Sequence, residues 1–231
     1  MILLIILKLL AVVLVGYLLG SIPFGLLLAK QFAKVDIRNY GSGKIGTTNV
    51  LRTAGKKAAV LAFTLDFTKG ALAVLFAALI FGRNYLVVGN FGLGLLVAQC
   101  LAALASIAGH NWSIFLGFRG GRGVATFFGG LAALSPVVAL FGGQVFAIGV
   151  GLTRFASLGS IAGAVGTYTI LIPLTILNGF PVEYLVYSLI GTITVIYMHR
   201  DNIARLLAGK ERKLGEPAKA MNSPTLEKSK E

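Results

Sequence analysis

Apolar residues fall into long runs separated by short polar stretches, and the lengths of the runs predict the elements. A helix needs roughly 20 apolar residues to cross about 30 Å of hydrocarbon. Such runs extend from Ile2 to about Ala29, Ala58 to Gly82, Leu86 to Ala108, Leu158 to Leu177 and Val182 to Met198. Two shorter runs, Val124 to Leu134 and Pro136 to Leu152, meet at Ser135-Pro136. The first run is too long for a signal peptide and lacks its small-residue cleavage site. It reads as a retained helix bent at Gly20-Ser21-Ile22-Pro23. Pro136 has no amide hydrogen with which to continue a helix, which favours a turn there and two spans rather than one.

Two spans make seven, and segments 30–57, 109–123, 153–157 and 199–231 then share one side. Seven Lys and Arg lie in the first of these segments, two in the second, Arg154 in the third and eight in the fourth, 18 of the 21 in all. The positive-inside tendency makes that side cytoplasmic. The expected fold is an all-α polytopic membrane protein of seven transmembrane helices, N-terminus out and C-terminus in the cytoplasm. Val124 to Leu134, at about 1.5 Å per residue, covers only roughly half a bilayer. It is expected as a half-helix or re-entrant segment shielded by its neighbours. Residues 1–213 read as one transmembrane domain and 214–231 as a polar, disordered cytoplasmic tail.

Composition narrows the class. Of 231 residues 56% are apolar and only 13% charged, where a soluble domain carries about a quarter charged. A water-soluble globule and a disordered chain are thereby excluded. Cys100 is the only cysteine, so no disulfide forms within the chain. The net charge of +13 suits an anionic leaflet or an anionic substrate, and no nucleic-acid partner is expected. The 30 glycines, many inside spans, suit close helix packing.

The unusual polar residues form three clusters, all on the cytoplasmic side. Residues 41–52 hold Gly41, Ser42, Gly43, Lys44, Gly46, Thr47, Thr48, Asn49 and Arg52. Glycines there let backbone amides approach an anion, while hydroxyls, an amide and two cations supply its partners. The Gly-Lys-Ser/Thr ending of a nucleotide loop is missing, so ATP is not implied. Residues 109–126 run from Gly109 and His110 through Gly120-Gly121-Arg122-Gly123 into an apolar helix, whose N-terminus favours anions. Trp112, Phe115 and Phe118 fit an interfacial aromatic belt. Residues 199–211 open with His199, and Asn202 and Arg205 follow at helical spacing on the same face. Asp66 and Lys69, three apart inside the second span, read as a salt bridge. Two histidines and scattered carboxylates make no metal-ligand set. Neither histidine has an evident carboxylate partner beyond Asp201, so a catalytic triad is unsupported.

Together the three clusters resemble the bacterial membrane-embedded acyl-phosphate:glycerol-3-phosphate acyltransferases. The pattern Gly-Ser-Gly-Asn-x-Gly-x-Thr-Asn-x-x-Arg matches residues 41–52, with Lys44 at the asparagine position. Gly-His-x-aromatic-Pro-x-Phe followed by Gly-Gly-Lys-Gly-Val-Ala-Thr matches 109–126, with Ser113 for the proline and Arg122 for the lysine. His-Arg-x-Asn-Ile-x-Arg-Leu-x-x-Gly-x-Glu matches 199–211 throughout. Lesser matches are residues 20–25, 65–70 and 154–158, and the likeness extends from about residue 15 to 211. The His-x-x-x-x-Asp of other glycerolipid acyltransferases is missing, since Phe115 and Ala204 stand where the aspartate would.

The resemblance implies transfer of a fatty acyl group from acyl phosphate to the sn-1 hydroxyl of glycerol 3-phosphate, giving lysophosphatidic acid and inorganic phosphate. It implies a bacterial inner-membrane enzyme with a cytoplasmic active site, membrane lipids around it, no cofactor and no obligate protein partner. His199, Asn202, Asn49 and Arg122 are the expected catalytic residues. Ser42, Gly43, Lys44, Thr48, Arg52, His110, Gly121, Gly123 and Ser157 are the expected substrate and phosphate contacts. Acyl phosphate is a mixed anhydride with a good leaving group, so direct attack is expected without an acyl-enzyme. The competing class is a transporter of a small phosphorylated anion. Against it stand the lack of an internal repeat and the clustering of polar chemistry on one side.

Overall fold

Pro23 ends the first helix. In the computed structural model, which describes residues 2–88, 91–218 and 220, α1 (Ile2–Ser21) and α2 (Phe24–Ala33) form one 32-residue span broken at Ile22-Pro23. The break frees backbone carbonyls from helical pairing, and Lys69 Nζ donates to that of Ile22 at 3.0 Å. The bend expected at residues 20–23 is thus present, with a side chain from the next helix satisfying it.

The second helix begins well before the expected Ala58. α3 spans Thr47–Phe81, so half of the first polar cluster is helix rather than loop. Gly55, at φ 84° and ψ 179°, interrupts it and divides a polar first arm from the apolar one. Leu86 does not start a helix either. Leu86–Val88 (β1) and Phe91–Leu93 (β2) pair as an antiparallel hairpin, and α4 occupies Leu95–Asn111. β-branched residues and the glycines at 92 and 94 disfavour helix there, a preference that the count of apolar residues overlooked.

Ser135-Pro136 turns the chain as expected. Ser135 ends α5 (Val124–Leu134) and precedes α6 (Pro136–Thr153), with Pro136 at the first helical position where its missing amide is harmless. α7 covers Ala156–Asn178, α8 Val182–Met198 and α9 Arg200–Leu207, with a 59° bend between the last two. Among the described residues, five helical segments are long and apolar enough to span a bilayer, and a sixth if α8 and α9 are taken together. The 11-residue α5 is shorter. Large apolar side chains such as Leu79 and Leu152, 78% and 82% exposed, cover the outer surface, as lipid contact requires.

α5 is the centre of the bundle, packed by α3, α4, α6 and α8, and none of its residues is exposed. That shielding is what a half-length apolar helix needs. Phe127 stacks on Tyr187 with ring centroids 5.6 Å apart, and the Tyr187 hydroxyl donates to the Phe127 carbonyl at 2.8 Å. α3 meets α5 so closely that a Cβ on Gly70 would strike the Thr126 carbonyl, and one on Gly129 the Phe67 carbonyl.

Residues 210–218 run as a strap across the polar end of the bundle, including 214–218, for which composition predicts a disordered tail. Leu214 N–H donates to the Arg154 carbonyl at 2.7 Å and Ala218 N–H to that of Arg52 at 3.3 Å. Ala220 bridges to Tyr40. The rest of the expected tail, residue 219 and residues 221–231, lies outside the described residues.

Candidate active site

The segments 42–52, 110–123, 154–160 and 199–212, part loop and part helix end, meet at one end of the bundle and enclose two adjoining pockets. Ser42, Thr48, Arg52, Arg122, Ser157, His199, Asn202, Arg205 and Glu211 line the first. Lys44, Asn49, His110 and Gly123 border the second, which shares Ser42, Thr48, Arg122 and His199 with the first and is extended by Phe63, Val124 and Phe146. Cationic and apolar surfaces therefore adjoin. Of the expected site residues only Gly43 and Gly121 line neither pocket. Their amides are engaged, Gly43 N–H with the Tyr40 carbonyl and Gly121 N–H with that of His110, each at 3.0 Å. Both glycines shape loops instead of offering N–H groups to an anion.

Several of these side chains have an identifiable support. His199 Nδ1 lies 2.8 Å from the Val195 carbonyl. A carbonyl only accepts, so Nδ1 carries the proton and the neutral ring keeps a lone pair on Nε2. Asn202 and Arg205, on the same face of α9 as expected, converge on Glu211, whose carboxylate accepts from Asn202 Nδ2 at 2.7 Å, Ser157 Oγ at 3.1 Å and Arg205 Nε at 2.9 Å. Arg52 reaches the strap, donating to the Arg212 and Lys213 carbonyls at 3.0 and 2.9 Å. Asn49 is 3% exposed. Its amide donates to the carbonyls of Ile37, Tyr40 and Lys44 at 3.3, 3.0 and 2.9 Å, which holds the loop around Ser42. Thr53 Oγ1 donates back to the Asn49 carbonyl.

Arg122 stands where the two pockets join, and its buried Nε has no protein partner. Burial, with Arg205 as the next cause, pulls its guanidinium down to about 10, still charged at neutral pH. Burial and the nearby Arg122 also lower the Lys44 ammonium. A mostly buried guanidinium with unfilled donors is suited to an anion.

One departure from the family pattern is accounted for locally. Ser113, at the proline position, is fully buried and donates to the Ser21 carbonyl at 2.6 Å, tethering the loop to the end of α1. His110 does face a carboxylate, contrary to expectation, although no hydrogen bond joins the two. Asp66 Oδ1 lies 3.5 Å from His110 Nδ1 and 2.7 Å from Lys69 Nζ, which also forms the expected pair. Spacing along the sequence singles out neither Glu211 nor the Asp66–His110 contact. Glu211 falls inside the third matched stretch, and Asp66 is an acid inside an apolar run, but their partners are on other elements.

Comparison with known proteins agrees with the motifs. The family model for glycerol-3-phosphate acyltransferase matches residues 10–209. A glycerol-3-phosphate acyltransferase 3 of Dehalococcoides mccartyi strain CBDB1 is 61% identical over 212 residues, covering 92% of this chain and 98% of that one. The glycerol-3-phosphate acyltransferase of Clostridioides difficile strain 630 is 44% identical over 205 residues, 87% of this chain and 93% of that one. Among solved structures, PlsY (YgiH), an integral membrane glycerol 3-phosphate acyltransferase, matches in its glycerol 3-phosphate form with a TM-score of 0.77 and 40% identity, over 90% of this chain and 96% of that one. Its lysophosphatidic acid form matches with a TM-score of 0.75 and 39% identity, over 89% of this chain and 94% of that one. With its three polar clusters gathered at one end of an apolar helical bundle, this chain belongs to the glycerol-3-phosphate acyltransferase family.

Proposed function

We propose that the protein transfers a fatty acyl group from an acyl phosphate to the sn-1 hydroxyl of glycerol 3-phosphate, releasing lysophosphatidic acid and inorganic phosphate. The observation that carries this reading is the junction at Arg122 and His199, where a pocket lined by four arginines opens into one lined by Phe63, Val124 and Phe146. Phosphates need the first surface and an acyl chain the second. The solved relatives carry glycerol 3-phosphate and lysophosphatidic acid, a substrate and product of that chemistry.

Arg122 and Arg52 hold phosphate, with Lys44 adding positive charge and Ser42, Thr48 and Ser157 adding neutral donors. The glycerol oxygen attacks the acyl carbon, the bond from that carbon to the phosphate oxygen breaks, and phosphate leaves with the electron pair. The hydroxyl proton passes to His199 Nε2 or to phosphate itself, and Asn202 orients the substrate. Asn49 acts by fixing the Ser42 loop. Holding both reactants in line and stabilising charge supplies the acceleration, so no covalent acyl-enzyme forms.

In this reading seven helices cross a bacterial inner membrane, with residues 1–213 one domain, the N-terminus outside and the site facing the cytoplasm. The test uses purified protein in detergent with palmitoyl phosphate and glycerol 3-phosphate. Lysophosphatidic acid and phosphate are expected in equal amounts. Trapping a labelled acyl-enzyme, or finding no product, overturns the scheme.

A further inference from the structure

Asp66, Lys69 and His110 form a buried ionisable cluster beside the site that the transfer scheme leaves without a task. They come from two helices and are 1%, 2% and 3% exposed. Burying them is unfavourable unless they are paired, and their pairing runs in one direction. Lys69 is anchored at the Pro23 break by the Ile22 carbonyl at 3.0 Å and lies over the Phe24 ring at 5.7 Å. It holds Asp66 at 2.7 Å, and Asp66 faces His110 Nδ1 at 3.5 Å.

The other edge of the His110 ring meets the arginine loop. A Cβ on Gly121 would strike His110 Nε2, and one on Gly120 would strike the His110 carbonyl. Gly121 N–H donates to that same carbonyl at 3.0 Å. At Gly123 a Cβ would come within 2.8 Å of Asn111 Oδ1. The last turn of α4 is therefore a mould for Gly120-Gly121-Arg122-Gly123, and Arg122 carries the one side chain in that stretch.

We propose that Asp66, Lys69 and His110 are positioning residues for Arg122: the ion pair fixes the His110 ring, the ring fixes Gly121, and Gly121 sets where the guanidinium meets phosphate. His110 then acts through the loop rather than as a phosphate ligand. The inference rests on the reading that Arg122 binds phosphate.

The test compares five variants in the purified enzyme: Asp66→Asn/Lys69→Met, His110→Ala, Gly121→Ala, Gly121→Ala/His110→Ala and Arg122→Ala. The first removes both charges together, so no lone charge is left buried. KM for each phosphate substrate, kcat and thermal stability in detergent are measured. The first three variants are expected to raise the same KM that Arg122→Ala raises, by about tenfold to a hundredfold, with kcat little changed. Because removing the ring clears the space that a Gly121 Cβ needs, the Gly121→Ala/His110→Ala variant is expected to be no worse than His110→Ala. Compounding losses in that double variant, or lower thermal stability with KM unmoved, overturns the positioning role. An Arg122→Ala variant with unchanged KM overturns the phosphate reading instead.

Discussion

Asn202 Nδ2 lies 2.7 Å from Oε1 of Glu211, an oxygen that also accepts from Ser157 Oγ at 3.1 Å. One carboxylate thus joins α7, α9 and the start of the strap behind the pocket that His199 lines. With Arg205 on its second oxygen at 2.9 Å, Glu211 fixes three polar side chains at once.

Removing that carboxylate releases all three. Glu211→Ala is expected to lower kcat/KM by about a hundredfold, the scale of a misplaced reacting group. Glu211→Gln, which keeps an acceptor for Asn202 or Ser157 but weakens the bond to Arg205, is expected to fall between alanine and wild type. Steady-state kinetics with both substrates measure this, and wild-type kcat/KM in Glu211→Ala would remove Glu211 from the site's support.

Arg122 presents a planar fork where the family pattern has a point charge. Losing it is expected to reduce kcat/KM by about tenfold to a hundredfold, the range of one or two hydrogen bonds to a charged group. Arg122→Lys is expected to retain much of the activity. Wild-type kcat/KM in Arg122→Ala would sink the assignment.

The same residue sets an alkaline limit. Burial lowers the Arg122 guanidinium to about 10, so phosphate affinity is expected to be level through neutral pH and to fall as pH rises through about 10. Stability moves the other way. Above about 10 the unfolded chain holds the proton that the folded chain has lost, so this group's contribution to stability rises with pH there. In Arg122→Lys the KM limb is expected at lower pH, because an ammonium starts from a lower value. A KM profile identical in both proteins would count against Arg122 as the phosphate cation.

Asn49 is expected to reveal itself in stability. Its amide donates to three carbonyls, and Asn49→Ala leaves buried acceptors unpaired at about 1–3 kcal/mol. Asn49→Asp is expected to be worse, since a carboxylate donates nothing to carbonyls. Thermal unfolding in detergent measures both variants; two unchanged midpoints would show that the loop holds without it.

The glycine crossing of α3 and α5 is open to the same assay. Gly70→Val is expected to destabilise by about 1–3 kcal/mol through overpacking, because the Thr126 carbonyl occupies the space beside Gly70. An unchanged midpoint would mean that α5 can shift at no cost.

The long apolar runs made most of the helices legible. Val182–Met198 and Val124–Leu134 match their runs to the residue, and Pro136 marked its turn, because apolar length and a missing amide are local properties. Thr47–Gly55 was unreadable as helix because its side chains are polar, and the Leu86–Leu93 hairpin because its side chains are as apolar as those of a span. At the site, His199, Asn202 and Arg205 were legible from spacing on one helix. Asp66 with His110 and Glu211 with Ser157 were not, because each contact joins separate elements and depends on how closely the glycine-lined helices approach.

The strap gives this enzyme a schedule. Arg52 emerges early in synthesis, yet its hydrogen bonds go to Arg212 and Lys213, and Glu211 closes the wall behind Ser157 and Asn202. A partly made chain, however well inserted, has neither. The arginine pocket is therefore completed only after the ribosome has passed the last transmembrane segment.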